Sequence, residues 1–169
     1  MHQTAYENAK KFSQIWVTSN HKFILDIGSY DVNGCLRPLF EGKKYVGLDK
    51  IEGPNVDIVY QDKIPFDDKS FDIIISTSCF EHDEFFWETF LEMCRVLKPN
   101  GLIYINAPSN GPYHAYPVDC WRFYKDSYPS LVKWAKKNSY PIILEEQYIS
   151  EIGDDGPWAD NVGIFKKSI

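Results

Sequence analysis

Apolar positions along this chain switch between two spacings. Over residues 4–18, Ala5, Ala9, Phe12 and Trp16 recur every three to four positions, the stripe of a helix that buries one face. From residue 23 the pattern becomes a series of short apolar runs bounded by acids, glycines and asparagines. These are FILDIG from Phe23, YVGLD from Tyr45, VDIVYQD from Val56, SFDIIISTS from Ser70 and LIYINAP from Leu102. Such runs predict buried strands. Helical spacing returns over 83–97, where Phe86, Phe90, Met93 and Leu97 share a stripe, acids come early, and Arg95 and Lys98 come late as the macrodipole favours. The turn PNG at 99–101 ends that helix. Shorter helices are predicted over 32–40, limited by Pro38, and over 126–137, with a start blurred by Pro129. Further strands are predicted over 142–149 and 161–166. Strand and helix alternate without a repeat, which predicts an α/β sandwich of three layers. Between Asp49 and Val56 only KIEGPN intervenes, too short for a crossover helix, so that connection is expected to be a loop.

Composition narrows the function classes. The chain of 169 residues, 44% hydrophobic and 16% aromatic, is sized for one domain spanning 1–169 with a core that needs no disulfides. A net charge of -6 argues against a nucleic-acid partner, which would require a basic face. Cys35, Cys79, Cys94 and Cys120 form no CxxC pair and lie within or beside apolar runs, as free thiols in a reducing compartment would. No basic leader and no membrane-length apolar stretch is seen, so the expected location is cytoplasmic, without membrane insertion. His2, His21, His82 and His114 are scattered, and no metal-ligand spacing is found, which predicts no metal.

Candidate chemistry starts at the strand ends. The first run ends in Asp26 and Gly28, the second in Asp49 and the third in Asp62. Ligands of open α/β sheets bind at such carboxyl ends, and an acid closing the second strand can take both hydroxyls of a ribose. Two acid-tipped strands in succession point to a nucleoside-shaped ligand.

The order of these pieces, with Glu81-His82 before the central helix and RVLKPNG from Arg95 leading into the next strand, closely resembles the class I S-adenosylmethionine-dependent methyltransferases, type 11 in particular. The resemblance covers roughly residues 22–150. It implies a Rossmann-like, mostly parallel seven-stranded sheet whose last strand inserts antiparallel beside the fifth. Its cofactor would be S-adenosylmethionine. In the family turn DxGxGxG the second and third glycine positions hold Tyr30 and Val32 here. A nicotinamide-type GxGxxG is also missing, because Tyr30 and Asn33 stand where its later glycines would be. S-adenosylmethionine carries no phosphate, so this turn disfavours dinucleotides more than it disfavours the resemblance.

Carried over residue by residue, the resemblance puts Asp26, Gly28 and Ser29 against the methionine moiety, Asp49 on the ribose and Ile51 against adenine. Asp62 would accept from the adenine amino group, with Gln61 and Lys63 beside it, and Ser78 would lie under the cofactor. It implies that the N-terminal helix, within 1–21, helps close the site. The segment 110–126 packs Tyr113, Tyr116, Trp121, Arg122 and Tyr124 after the fifth strand and is the expected acceptor loop. His114, Asp119 and His82 are the candidate bases, and Arg122 a contact for an anionic acceptor group. A paired Asp119–Arg122 within a structural lid is the competing reading of that loop. The expected acceptor is a small molecule, with a sugar or surface-glycan precursor suited to the aromatic loop. The chain gives no oligomeric state. A catalytically silent nucleoside-binding module is the alternative. A short-chain oxidoreductase is disfavoured, because its Tyr-x-x-x-Lys spacing occurs only at Tyr6 and Lys10, ahead of the first strand.

Overall fold

The computed structural model describes residues 2–153 and 156–169. Helix α1 (Gln3–Trp16) precedes β1 (Phe23–Ile27), and a 3₁₀ turn at Arg37–Phe40 leads to β2 (Lys44–Asp49) and β3 (Ile58–Val59). Strand β4 (Phe71–Thr77), a second 3₁₀ turn at Phe80–His82, α2 (Phe86–Val96) and β5 (Leu97–Pro108) follow. Helix α3 (Ser127–Lys137), β6 (Ile142–Ile149) and β7 (Asp160–Lys167) complete the chain. The seven strands form one sheet in the order β3-β2-β1-β4-β5-β7-β6. Strand β7 lies between β5 and β6 and runs antiparallel to both. The strand order reverses between β1 and β4, both parallel, and opens a crevice there.

The period of two along each strand divides the core. Ile24, Ile73, Ile75, Leu102 and Tyr104 face Ala9 and Phe12 of α1 with Leu36 and Phe40. Leu25, Ile27, Ile74, Ile103 and Ile105 face Phe90 and Met93 of α2 and Leu131 and Ala135 of α3. Lys167, buried at the end of β7, donates to the carbonyls of Cys94 (2.7 Å) and Leu97 (2.8 Å), which α2 leaves unpaired at its C-terminus. Pro129 falls in the first turn of α3, where its missing N–H costs no helical bond. No helix among the described residues is long and apolar enough to cross a membrane.

Four predicted elements differ. The turn expected to end the helix at 99–101 lies within β5, which follows α2 directly from Leu97. The helix over 32–40 is only the turn Arg37–Phe40, because Asp31 accepts the Gly34 N–H at 2.6 Å and holds the preceding backbone in a side-chain-closed turn. The third strand shrinks from 56–62 to Ile58–Val59, since Asp57 turns back to accept from Arg37 (2.6 Å) and the Gly47 N–H (2.7 Å). The helix expected from Asp83 starts at Phe86. Asp83 instead takes the Phe85 N–H (3.0 Å) and the Thr89 hydroxyl (2.5 Å), and Glu81-His82 belong to the separate turn before it.

Candidate active site

The carboxyl ends of β1, β2 and β4 meet at the crevice. Asp26 is buried and bonded to the Tyr45 hydroxyl, and burial pushes its carboxyl up to about 7. Arg37 stacks 4.5 Å over the Tyr45 ring and donates to Asn55 and Asp57, so one cation ties β2 to the connection after it. Gly28 has φ +79, donates to the Leu48 carbonyl at 2.9 Å, and a Cβ there would lie 2.3 Å from Cys79 Sγ. Close approach of the β4 loop, not open ligand space, therefore demands this glycine. Ser29 is likewise buried, its hydroxyl donating to the Asn55 carbonyl at 3.3 Å, away from the crevice mouth.

Asp49 ends β2 half-buried. Its carboxylate accepts the backbone N–H groups of Tyr30 (3.0 Å), Lys50 (2.7 Å) and Ile51 (3.4 Å). Of the roughly four acceptor positions on a carboxylate, about one remains for a ligand hydroxyl. Ile51 is 54% exposed beside it. Gln61, Asp62 and Lys63 are exposed in the turn after β3, with the Gln61 amide reaching the Lys50 carbonyl at 3.5 Å. Ser78 has φ 50 and donates its N–H to the Asn106 carbonyl, so it marks the turn off β4. Thr77 Oγ1 and Asn106 Nδ2 are buried without partners on neighbouring strand ends.

A second cluster lies where β4, β5 and β7 end. Glu81 is 1% exposed, and burial pushes its carboxyl up to about 8. His82 Nδ1 donates to the Val118 carbonyl at 2.5 Å, and burial lowers the His82 pKa and favours the neutral ring. His114 packs edge-on against His82 with ring centroids 4.9 Å apart, and against Trp158 at 4.6 Å. Asp160, fully buried at the start of β7, faces His2 Nε2 at 3.3 Å. The sequence placed His82 and His114 among scattered histidines, but the fold brings Glu81, His82 and His114 together with ligating atoms within 4.8 Å of one another. Asp160, Trp158 and Arg37 escaped sequence reading altogether. An acid directly ahead of the strand predicted over 161–166 was the one signal in the sequence for Asp160.

Two expected roles change. Asp119 accepts two bonds from Arg122 (2.6 and 2.8 Å) and one from the His114 N–H (2.7 Å). The Arg122 bonds hold its carboxyl far below the usual range, which makes Asp119 a poor proton acceptor. Arg122 is occupied by Asp119 and by the Pro112 and Trp121 carbonyls, and so builds the loop rather than offering an open anion contact. Around them Tyr113, Tyr116 and Tyr124 are 77%, 50% and 67% exposed. Trp121 donates to the Asp83 carbonyl and joins Phe86, Trp87 and Trp134 around a cavity of about 360 Å³ against α2 and α3. A larger cavity, about 590 Å³, lies between α1 and the end of β6, lined by Asn8, Tyr148 and Ser150. Ser150 pairs with Asp160, so this cavity adjoins the second cluster.

Residues 36–105, the middle of this sheet, match the family profile described as a methyltransferase domain. Among solved structures, the 1,6-didemethyltoxoflavin-N1-methyltransferase of Burkholderia thailandensis, with bound 1,6-didemethyltoxoflavin and S-adenosylhomocysteine, superposes with a TM-score of 0.74 at 15% identity, covering 98% of this chain and 79% of that one. A SAM-dependent methyltransferase from Aquifex aeolicus gives 0.67 at 16% identity over 98% and 92% of the two chains. One from Methanosarcina mazei gives 0.63 at 14% identity over 90% and 95%. None of the curated proteins compared with the sequence matches it. The fold is that of the class I methyltransferases. Residues 36–105 thus resemble the methyltransferase-domain family, and the whole chain shares the fold of these enzymes.

Proposed function

We propose that the chain is an active S-adenosylmethionine-dependent methyltransferase with a small-molecule acceptor. The observation that carries this reading is Asp49, a half-buried carboxylate at the carboxyl end of β2 with acceptor capacity left over and Ile51 exposed beside it. In this reading Asp49 takes the ribose hydroxyls, Ile51 lies along the adenine, and Asp62 with Gln61 and Lys63 borders the base. Gly28, Ser29 and Asp26 shape the turn from behind, and Ser78 carries the chain off β4. Bound S-adenosylmethionine supplies a sulfonium methyl already activated for in-line displacement, so the protein's task is to position the acceptor and exclude water.

The second cluster is the acceptor side. His82 is the better base, because its Nδ1–H is committed to Val118 and its neutral Nε2 is left to receive a proton. His114 is the second candidate, with Asp119 and Arg122 as its positioning pair. Tyr113, Tyr116, Trp121 and Tyr124 offer ring faces to an acceptor, and stacking of this kind suits a sugar. A silent nucleoside-binding module is the weaker reading, since it leaves the buried acids and paired histidines without a task.

Calorimetric titration with S-adenosylmethionine and S-adenosylhomocysteine tests the reading. Asp49→Ala should weaken both by about 1.5–3 kcal/mol, the worth of hydrogen bonds to a charged group. Absence of binding by the folded wild-type chain rejects the function, and unchanged affinity in Asp49→Ala moves the ribose elsewhere.

A further inference from the structure

We propose that Glu81, His82 and His114 form a binding site for one divalent transition metal of the zinc type, set at the carboxyl edge of β4 under the 110–126 segment. The three residues each bring a ligating atom within 4.8 Å of the other two. His82 Nε2 stands 3.7 Å from Glu81 Oε1, too far for a hydrogen bond. Two ligands on one ion with bonds of about 2.1 Å are separated by about 3.4 Å in a tetrahedral site, so a small side-chain rotation closes this pair on a metal.

The tautomer is set for ligation. The Val118 carbonyl can only accept, so His82 Nδ1 carries the proton and Nε2 presents a lone pair toward the glutamate. His82 Nε2 and Glu81 Oε1 thus face each other without a hydrogen bond, and Glu81 Oε2 is buried without a partner. A cation between them removes both liabilities. His114 carries the outer support typical of a metal-bound imidazole, with Nδ1 3.3 Å from Asp119 Oδ2 and that carboxylate fixed in turn by Arg122. The loop is fastened to the turn that holds the other two ligands, since the Cys120 and Trp121 N–H groups both donate to the Glu81 carbonyl at 2.7 and 3.3 Å. Two imidazoles and one carboxylate suit zinc or a similar ion over magnesium or calcium, and three protein ligands leave a position open for water or an acceptor oxygen. The site stands on its own geometry and does not require the methyl-transfer reading; with an ion bound, His82 Nε2 is a ligand, and the general-base role proposed for it belongs to the metal-free chain.

The test uses the full chain, stripped with a chelator, exchanged into chelator-free buffer and titrated with zinc chloride. One ion per chain should bind, millimolar magnesium should not displace it, and X-ray absorption should show nitrogen and oxygen ligands at about 2.0–2.1 Å. His82→Ala, His114→Ala and Glu81→Gln should each weaken binding at least tenfold, with circular dichroism reporting the fold. His21→Ala should bind as wild type does. If the buried Glu81→Gln chain fails to fold, His114→Ala on its partly exposed loop still decides the matter. No stoichiometric zinc in the wild-type chain, or undiminished binding in both His82→Ala and His114→Ala, overturns the site.

Discussion

Gly28 shows how a single position can carry a different constraint from the one its motif suggests. A side chain there meets Cys79 Sγ at 2.3 Å from a backbone with φ +79. Gly28→Val should therefore destabilise the fold itself by about 1–3 kcal/mol or more, measured by urea unfolding, and any loss of cofactor affinity should follow from that. Asp26 gives a pH prediction. Its folded pKa is raised to about 7 from an ordinary 3.8 by burial. Between those values the folded chain keeps a proton that the unfolded chain releases, so the contribution of Asp26 to stability falls as pH rises through this window, and that of Glu81, raised to about 8, falls over an overlapping one. Asp26→Asn should reduce the slope in melting temperature against pH. A slope that persists unchanged would show that Asp26 is not its source. Asp26 and Asp49 were visible in the sequence because a charged side chain that closes an apolar run marks where a buried strand reaches the sheet's carboxyl edge. Arg37 and Asp160 were not, since their meaning lies in what the fold sets opposite them, the Tyr45 ring and the His2 imidazole.

At the scale of elements, the segment after β5 is built around an ion pair. The Asp119 side chain is 1% exposed and the Arg122 side chain 18%, and the bonds between them are bidentate. Asp119→Asn leaves a largely buried guanidinium without its counter-charge, and should cost about 3–5 kcal/mol of unfolding free energy. It should also raise the acceptor KM more than it lowers kcat, since the residue positions and does not exchange protons. A tenfold or larger fall in kcat with unchanged stability would return Asp119 to catalysis. Periodicity read the long elements well: α1, α3, β6 and the body of α2 lie within a few residues of their predicted limits. It misread 32–40, 56–62 and the start of α2, where aspartate side chains (Asp31, Asp57, Asp83) bond to nearby backbone or side-chain donors and compete with regular structure.

Over the whole molecule, the layered α/β architecture followed from the order of apolar runs, because buried parallel strands leave a signal that hairpin-rich sheets do not, while the seven-stranded topology came from family resemblance. The antiparallel insertion of β7 came from family resemblance, as no local pattern distinguishes strand direction. The sheet is unequal from edge to edge. At one side β6 pairs with β7 from Ile142↔Lys167 to Ile149↔Asn161, whereas β3 is held to β2 by only Leu48↔Ile58 and Asp49↔Val59. Ile51 and Asp62, on which the adenine is proposed to rest, flank that thin edge. Amide hydrogens in 50–63 should therefore exchange with solvent through local opening, well before those of β4 and β5. Saturating S-adenosylhomocysteine should slow exchange there more than anywhere else in the sheet, making the ligand itself the missing strand-length of fastening, and deuterium uptake followed by mass spectrometry would map it.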